Sequence, residues 1–263
     1  MNYFSRIGRI GAKAIFVLAA MVMTMASVQA QDTLEAVKKK GVLVAGSSAA
    51  YPPFEFVADG KLVGFDVDMA EEIARRMGVT LQWEKIDFKG IVAALTAKRV
   101  DVLITALTWT PERAERIAFS TPYFDAGIGA ITQASSTISK PDDLAGKKVG
   151  VQLGSSGERY VRETLGSKVG QLLTYDAITL AINDLKNGRV DAVVNPLPVL
   201  RYNIRNEKGG FRATPIWDTR TVGINTRHED KDLLAEINKH LADLKSEGFL
   251  DKLEKKWFSG SDS

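Results

Sequence analysis

Short apolar runs alternate with amphipathic segments along almost the whole chain, and few folds accommodate that alternation. GVLVAG (41–46) reads as a strand. DVDMAEEIARRMG (66–78) reads as a helix, with acids in its first turn, an apolar stripe of Ala70, Ile73, Ala74 and Met77, and Gly78 to stop it. VTLQW predicts a strand, IVAALTAKR a helix and VDVLIT a buried strand. The second half repeats the scheme with KKVGV, GERYVRETL, LLTY, AINDLKNG and VDAVV. Strands separated by helices bury both faces of their sheets, so the pattern predicts an α/β architecture.

An internal match divides that architecture in two. ALTAKRVDVLITALT (94–108) lines up with DLKNGRVDAVVNPLP (184–198), which sets Arg99-Val100-Asp101 on Arg189-Val190-Asp191. The two strands then end at equivalent places, Thr105 and Asn195, and ligands of open α/β sheets collect beyond the carboxyl ends of strands. AGIGAITQ (126–133) and TRTVGINT (219–226) flank the second unit as two connections between lobes would. The helical tail after them, striped by Leu233, Ile237, Leu241 and Leu244 and ending on Trp257 and Phe258, is expected to pack on the first lobe. The expected division is residues 31–126 with 221–263 in one lobe and 127–220 in the other.

Charge and cysteine usage exclude several function classes. Arg6, Arg9 and Lys13 precede an apolar run from Ala14 to Ala26 that ends in VQA, the pattern of a secretory signal cut after Ala30. The run is shorter than the about 20 residues that span a bilayer. This segment holds three of the 35 Lys and Arg residues and none of the 32 acids, so the rest of the chain is neutral and offers no case for nucleic acid or an anionic membrane. With no cysteine there is no disulfide, thiolate zinc site or lipid-modified cysteine. Export without a lipid predicts the periplasm. His228 and His240 lie twelve apart without a metal-ligand grouping and read as surface residues, no Ser-His-Asp or Cys-His arrangement is apparent, and no cofactor is expected.

Two strand-to-helix turns carry the candidate chemistry. In ITALTWTPERAERIAF (104–119), Arg113 sits in the first turn of a helix, where a cation is disfavoured; Glu112 is spaced to pair with Arg116, and Arg113 is left without a local acid. In VQLGSSGE (151–158), Ser155 and Glu158 fit a capping box, and the free N–H groups and hydroxyls at that helix start can hold an anion. Two such helix starts, one with an unpaired arginine, predict a joint anion site. Tyr51 and Phe54, on the stiff YPPF turn, and Phe88, after another strand, are core candidates whose strand-end placement also suits a pocket.

YPPFEF, GKLVGFDVDMAEEIARRMGV, IDFKGIVAALTAKRVDVLI, LTWTPERAERIAFSTPYF, DLAGKKVGVQLGSSGE, LKNGRVDAVV and the closing KKWF together resemble the polar amino-acid substrate-binding proteins of ABC importers, solute-binding family 3. The likeness runs over nearly all of the chain after residue 30. It implies a type II periplasmic-binding-protein fold: two α/β lobes, two hinge strands, a discontinuous first lobe and closure on a small ligand. It further implies that Arg113 forks onto the ligand's carboxylate. Backbone near Ala106 and Ser156 and the side chains of Thr105, Thr108, Gln152, Ser155 and Ser156 would complete the shell, and Tyr51 and Phe88 would enclose the ligand. A small carboxylate or amino-acid ligand, an inner-membrane ABC permease as partner and a monomeric state are what the family implies.

The chain departs from the family at two positions. Members that bind ordinary amino acids place an aspartate one residue after the position of Asn195, and here Pro196 stands there; Asn195 can still accept one hydrogen bond. At Ser48, relatives selective for basic amino acids carry an acid, so a basic ligand is disfavoured and a small carboxylate, a polar or modified amino acid or an amino-acid derivative, is expected. Glu55 is the nearest candidate for the missing charge, against the plainer expectation of a solvated turn residue. A cleft enzyme of the cyclohexadienyl-dehydratase type would need an acid near Asn195. A ligand-sensing partner of a membrane receptor is the other alternative.

Overall fold

The computed structural model describes residues 33–259, so the export signal expected over residues 1–30 lies outside the described residues. The chain opens with α1 (Thr33–Lys40), β1 (Val42–Ser47), a small antiparallel sheet of β2 (Ala50–Tyr51), β3 (Glu55–Ala58) and β4 (Lys61–Val63), and α2 (Phe65–Met77). It continues through β5 (Thr80–Lys85), α3 (Ile91–Thr96), β6 (Val102–Leu103), the single turn α4 (Pro111–Ala114) and β7 (Ala118–Phe119). A long strand, β8 (Phe124–Gln133), leads into β9 (Lys148–Gln152), α5 (Ser156–Thr164), β10 (Gln171–Tyr175), α6 (Ile178–Lys186), β11 (Ala192–Pro196), α7 (Leu197–Ile204) and β12 (Phe211–Ala213). Then β13 (Asp218–Val222) returns to β14 (Asn225–Thr226), α8 (Lys231–Ser246) and α9 (Phe249–Phe258).

The sheets show two lobes. One has the strand order β5-β1-β6-β14-β7, with β1 parallel to β5 and β6, and β14 antiparallel to both its neighbours. Since β14 follows the second lobe in the chain, the first lobe is discontinuous. The other sheet runs β10-β9-β11-β8-β12, with β13 also on β8. The two connections pair with each other, from Ile128 opposite Asp218 to Phe124 opposite Val222, as an antiparallel hinge ribbon.

The internal match has a geometric basis. Asp101 and Asp191 make equivalent clamps on the neighbouring strand: the Asp101 carboxylate accepts from Val44 N–H at 2.9 Å, and that of Asp191 from Lys148 N–H at 2.7 Å. In turn, Asp101 N–H donates to Val44 O and Asp191 N–H to Lys148 O. The preceding helices both end on a left-handed residue, Lys98 (φ 60°) and Gly188 (φ 69°). This is why α3 stops at Thr96, short of the expected Arg99.

The tail behaves as its stripe predicts. Leu233, Ile237, Leu241 and Leu244 are buried, and α8 and α9 pack on α2. Phe258 enters an aromatic cluster with Phe54, Phe65 and Phe124, its ring centroid 4.9 Å from that of Phe124, and Trp257 Nε1 donates to Asp68 at 2.7 Å. The cluster ties the YPPF turn, α2, the base of the hinge and the C-terminal helix together. One reading is corrected: His240 is buried among the α8 core rather than on the surface. Helix α7 grows directly out of β11, with Pro196 as the residue before its first turn. No described helix is long and apolar enough to cross a membrane.

Asp66, buried on α2, accepts from Ala106 N–H at 2.6 Å and Tyr123 Oη–H at 2.8 Å, and burial holds its pKa well above the usual carboxylate range. It thereby braces the chain beyond β6, where Ala106 takes a left-handed φ of 47°. Asp66→Ala would leave two buried donors without an acceptor, at about 1–3 kcal/mol each. A lower urea midpoint with an unchanged slope is expected; an unchanged midpoint would show that Asp66 does not brace this segment.

Candidate ligand site between the lobes

Strand register brings the site residues together. In the first lobe Ala45 pairs with Val102 and Gly46 with Leu103, so the register carried two residues on sets Ser48 level with Thr105. In the second, Val149 pairs with Ala192 and Gly150 with Val193, which sets Gln152 level with Asn195. Both pairs stand at carboxyl ends of parallel strands, the edge where side chains of an open α/β sheet meet a ligand. All four residues are buried.

The two edges touch. Asn195 Nδ2 donates to the Tyr51 hydroxyl at 2.7 Å, Asn203 Nδ2 to Pro52 O at 3.4 Å, Lys89 pairs with Asp176 at 3.0 Å, and Glu112 pairs with Arg159. The arrangement is closed. Glu112 therefore reaches across the gap to α5, instead of pairing with Arg116 along its own helix as the spacing suggested. The open part of the cleft has a volume of ≈ 530 Å³ and is lined by Phe88, Leu107, Arg113, Ser155, Ser156 and Arg159 among others. Ser48, Tyr51, Thr105, Ala106, Thr108, Gln152 and Asn195 do not line it; they are buried.

Arg113 spans the gap. One guanidinium nitrogen donates to Thr108 O at 2.8 Å and Thr108 Oγ1 at 2.9 Å; the other donates to Gly154 O of the second lobe at 2.9 Å. Its charged carbon lies 5.8 Å from the centre of the Phe88 ring. Among the described residues no carboxylate pairs with it, and burial pushes its pKa down to about 10, still well above neutrality. A permanent cation is thus held by neutral acceptors alone. The helix it belongs to is a single turn of four residues, Pro111–Ala114, capped by Thr110. So short a helix adds little dipole, and the anion-favouring groups are the guanidinium itself and the start of α5.

At that second helix start, Ser155 Oγ accepts from Glu158 N–H at 3.1 Å, as a cap should. The reciprocal half of the capping box differs from expectation: the Glu158 carboxylate accepts from Gly154 N–H at 2.6 Å and pairs with Arg162. Gly157 lets α5 lie against β11. A Cβ there would stand 2.5 Å from Val194 O and 3.1 Å from Asn195 Cα, closer than backbone can yield.

Several expected ligand groups are engaged within the protein. The hydroxyls of Ser48 and Thr105 donate to Glu55 Oε1 at 2.7 and 2.6 Å, and the N–H of Ala106 belongs to Asp66. Glu55 itself is fully buried, which corrects its reading as a solvated turn residue. An acid set between two phenylalanines in a strand-like run was the available cue. By contrast, Asn195 Oδ1 and Gln152 Oε1 are buried with no donor, although Gln152 Nε2 donates to Asp176 O at 3.2 Å. Unmet buried acceptors are uncommon and mark places where a bound molecule can supply the donor.

Comparison with known proteins agrees with this fold. Residues 43–260 match the model of the bacterial extracellular solute-binding proteins, family 3. The L-cystine-binding protein TcyJ of Escherichia coli (strain K12) is 34% identical over 262 residues, covering 98% of this chain and 97% of TcyJ. A crystal structure of the P235GK mutant of ArgBP from T. maritima is similar with a TM-score of 0.81 and 40% identity, covering 86% of this chain and 99% of that one. The ancestral amino acid-binding protein AncCDT-1, a precursor of cyclohexadienyl dehydratase, is similar with a TM-score of 0.82 and 32% identity, covering 86% and 100%.

Gly157→Ala is expected to separate α5 from β11, costing about 1–3 kcal/mol as an overpacking change. A fall in the thermal midpoint of several degrees checks this, and an unchanged midpoint would mean that the helix start is free to move.

Proposed function

The chain belongs to the bacterial extracellular solute-binding proteins, family 3, and we propose that it is an exported receptor that closes on a small carboxylate solute, an amino acid or amino-acid derivative, and hands it to an inner-membrane ABC importer. The observation that carries this reading is Arg113, a partly buried cation that bridges both lobes and has no carboxylate partner among the described residues. A planar, permanently charged fork suits a carboxylate, and the Ser155–Ser156 helix start supplies further donors. Contacts made with both lobes at once favour the closed state, the form a permease would recognise.

The relatives' printed ligands guide the choice of solute. TcyJ is an L-cystine binder, and another relative, from the same E. coli strain, binds lysine, arginine and ornithine. The expectation against a basic ligand rested on the absence of charge at Ser48. That basis is weakened, since Glu55 lies behind the Ser48 hydroxyl at 2.7 Å. We take residues 31–126 and 221–263 as the first lobe, 127–220 as the second, residues 1–30 as the export signal, the periplasm as the location and a monomer as the working form.

Binding rather than turnover is the reading of the cleft. The β11 end offers Asn195 and Pro196, neither of them an acid, and Glu158 is engaged by Gly154 N–H and Arg162. Incubation with candidate carboxylates should return them unchanged.

The experiment is a thermal-shift screen of L-amino acids, cystine, arginine and lysine included, on protein stripped of co-purified solute, followed by calorimetry on the best hit. Arg113→Ala is expected to weaken that hit by about a hundredfold or more, the roughly 3 kcal/mol of a truncated buried charge pair. Unchanged affinity in a folded Arg113→Ala protein would sink the assignment.

A further inference from the structure

The wall of the open cavity carries more positive charge than one carboxylate can match. We propose that its solute is a dianion with two carboxylates on a short apolar stem: Arg113 holds one, and Arg116, left free where Glu112 crosses to Arg159, holds the other. This rests on the carboxylate reading of Arg113 and adds a second anion position on the same turn.

The pairing of charges along the wall identifies the cations left over. Five cations line the cavity, Lys89, Arg113, Arg116, Arg159 and Arg162. Lys89 is matched by Asp176 at 3.0 Å, Arg162 by Glu158 at 2.7 Å, and Arg159 by both Glu112 and Glu163. Those three glutamates are the acids of the lining, so each already has its arginine. Among the described residues no carboxylate pairs with Arg113 or Arg116. Two unmatched guanidiniums, neither able to lose its charge, thus share one cavity of ≈ 530 Å³.

Backbone geometry sets the two side by side. The N–H groups of Arg116 and Ile117 both donate to Arg113 O at 2.9 Å, so the helical turn continues past Ala114. Residues three apart on such a turn are neighbours on one face, with Cβ atoms about 5–6 Å apart, and like charges there repel. An anion on each removes the repulsion. The separation suits two carboxylates a few bonds apart, and Phe88, Ile91, Val92 and Leu107 line the same cavity with apolar surface for the stem between them.

Glu112 ties this second position to closure. Helical spacing offers its carboxylate to Arg116, four residues on, but it meets Arg159 of α5 across the gap. The two lie on different lobes, so they meet only when the lobes come together. Closure therefore takes the local acid away from Arg116 and leaves that cation to the solute. The exchange itself is nearly neutral in energy, since Glu112 is 67% exposed and such pairs are weak. Its effect is on where charge stands: the closed wall holds one more unmatched cation than the open one. A dianion gains its second contact in the closed form alone, which shifts the lobes toward closure.

The test is calorimetry on protein stripped of co-purified solute, with two acids, glutarate and L-glutamate, each against its single-carboxylate amide, glutaramate and L-glutamine. The two arms distinguish a plain dicarboxylate from an amino dicarboxylate. In at least one arm the acid is expected to bind about tenfold or more tightly than its amide, about 1.4 kcal/mol per tenfold. Arg116→Gln, at an exposed position, should abolish that preference while the amide stays within about threefold of its wild-type affinity. Arg159→Gln returns Glu112 to Arg116 and should weaken the acid by about threefold or more relative to its amide; adding Glu112→Gln should restore it. An amide bound as tightly as its acid in both arms, no binding of either acid, a preference that survives Arg116→Gln, or a double variant no better than Arg159→Gln overturns the proposal. Arg113→Ala separates this from the underlying reading. If it weakens acid and amide alike while Arg116→Gln changes nothing, the dianion fails and the carboxylate assignment stands; if it changes neither, that assignment goes first.

Discussion

A guanidinium without an anion is costly to desolvate, and the cleft is organised around that cost. Arg113 has three hydrogen bonds, all to neutral acceptors, and they come from both sides of the gap. Neutral acceptors offset part of the desolvation; a carboxylate would offset far more, because charge-assisted forked bonds are roughly twice as strong as neutral ones. In the proposed reading, the closed arrangement holds a cation that an anionic solute would stabilise, and binding would be coupled to closure.

The ion pairs that cross the gap at its surface are poor candidates for that coupling. Lys89 and Asp176 are both about half or more exposed, and such pairs are worth about 0–1 kcal/mol. The buried contact across the gap is Asn195 on Tyr51, and Arg113 on Gly154 crosses it at a more exposed position. Glycine makes their approach possible at two points. Gly157 lets α5 touch β11, and Gly64, at φ 142°, passes where a Cβ would lie 2.1 Å from Phe54 O, so the hairpin bearing Tyr51 and Glu55 can seat on α2.

Much of the fold was legible because its signals are local. The apolar stripe of α2, the Gly78 stop, the Ser155 cap and the repeated Arg-Val-Asp each act within a few residues, and each has its counterpart in the structure. Arg113 stood out for a similar reason, since its own helix contained no acid to pair with it. The misreadings share the opposite property. Glu112 was assigned to Arg116 by helical spacing, whereas Arg159 lies nearer across the gap. For Glu55 the Phe-Glu-Phe run hints at burial, but nothing in YPPFEF reports that Thr105, far along the chain, comes to lie against it.

By itself the sequence determined the α/β alternation, the duplicated unit, the hinge runs and the cation at the head of a helix, all of which follow from spacing and residue chemistry along one segment. Only the tertiary structure decided which donors and acceptors remain free and which are already engaged. Hydroxyls of Ser48 and Thr105, the N–H of Ala106 and the oxygens of Gln152 and Asn195 are chemically equal candidates on paper. Register and lobe contact separate them, since a hydrogen bond depends on where residues far apart in the chain come to lie.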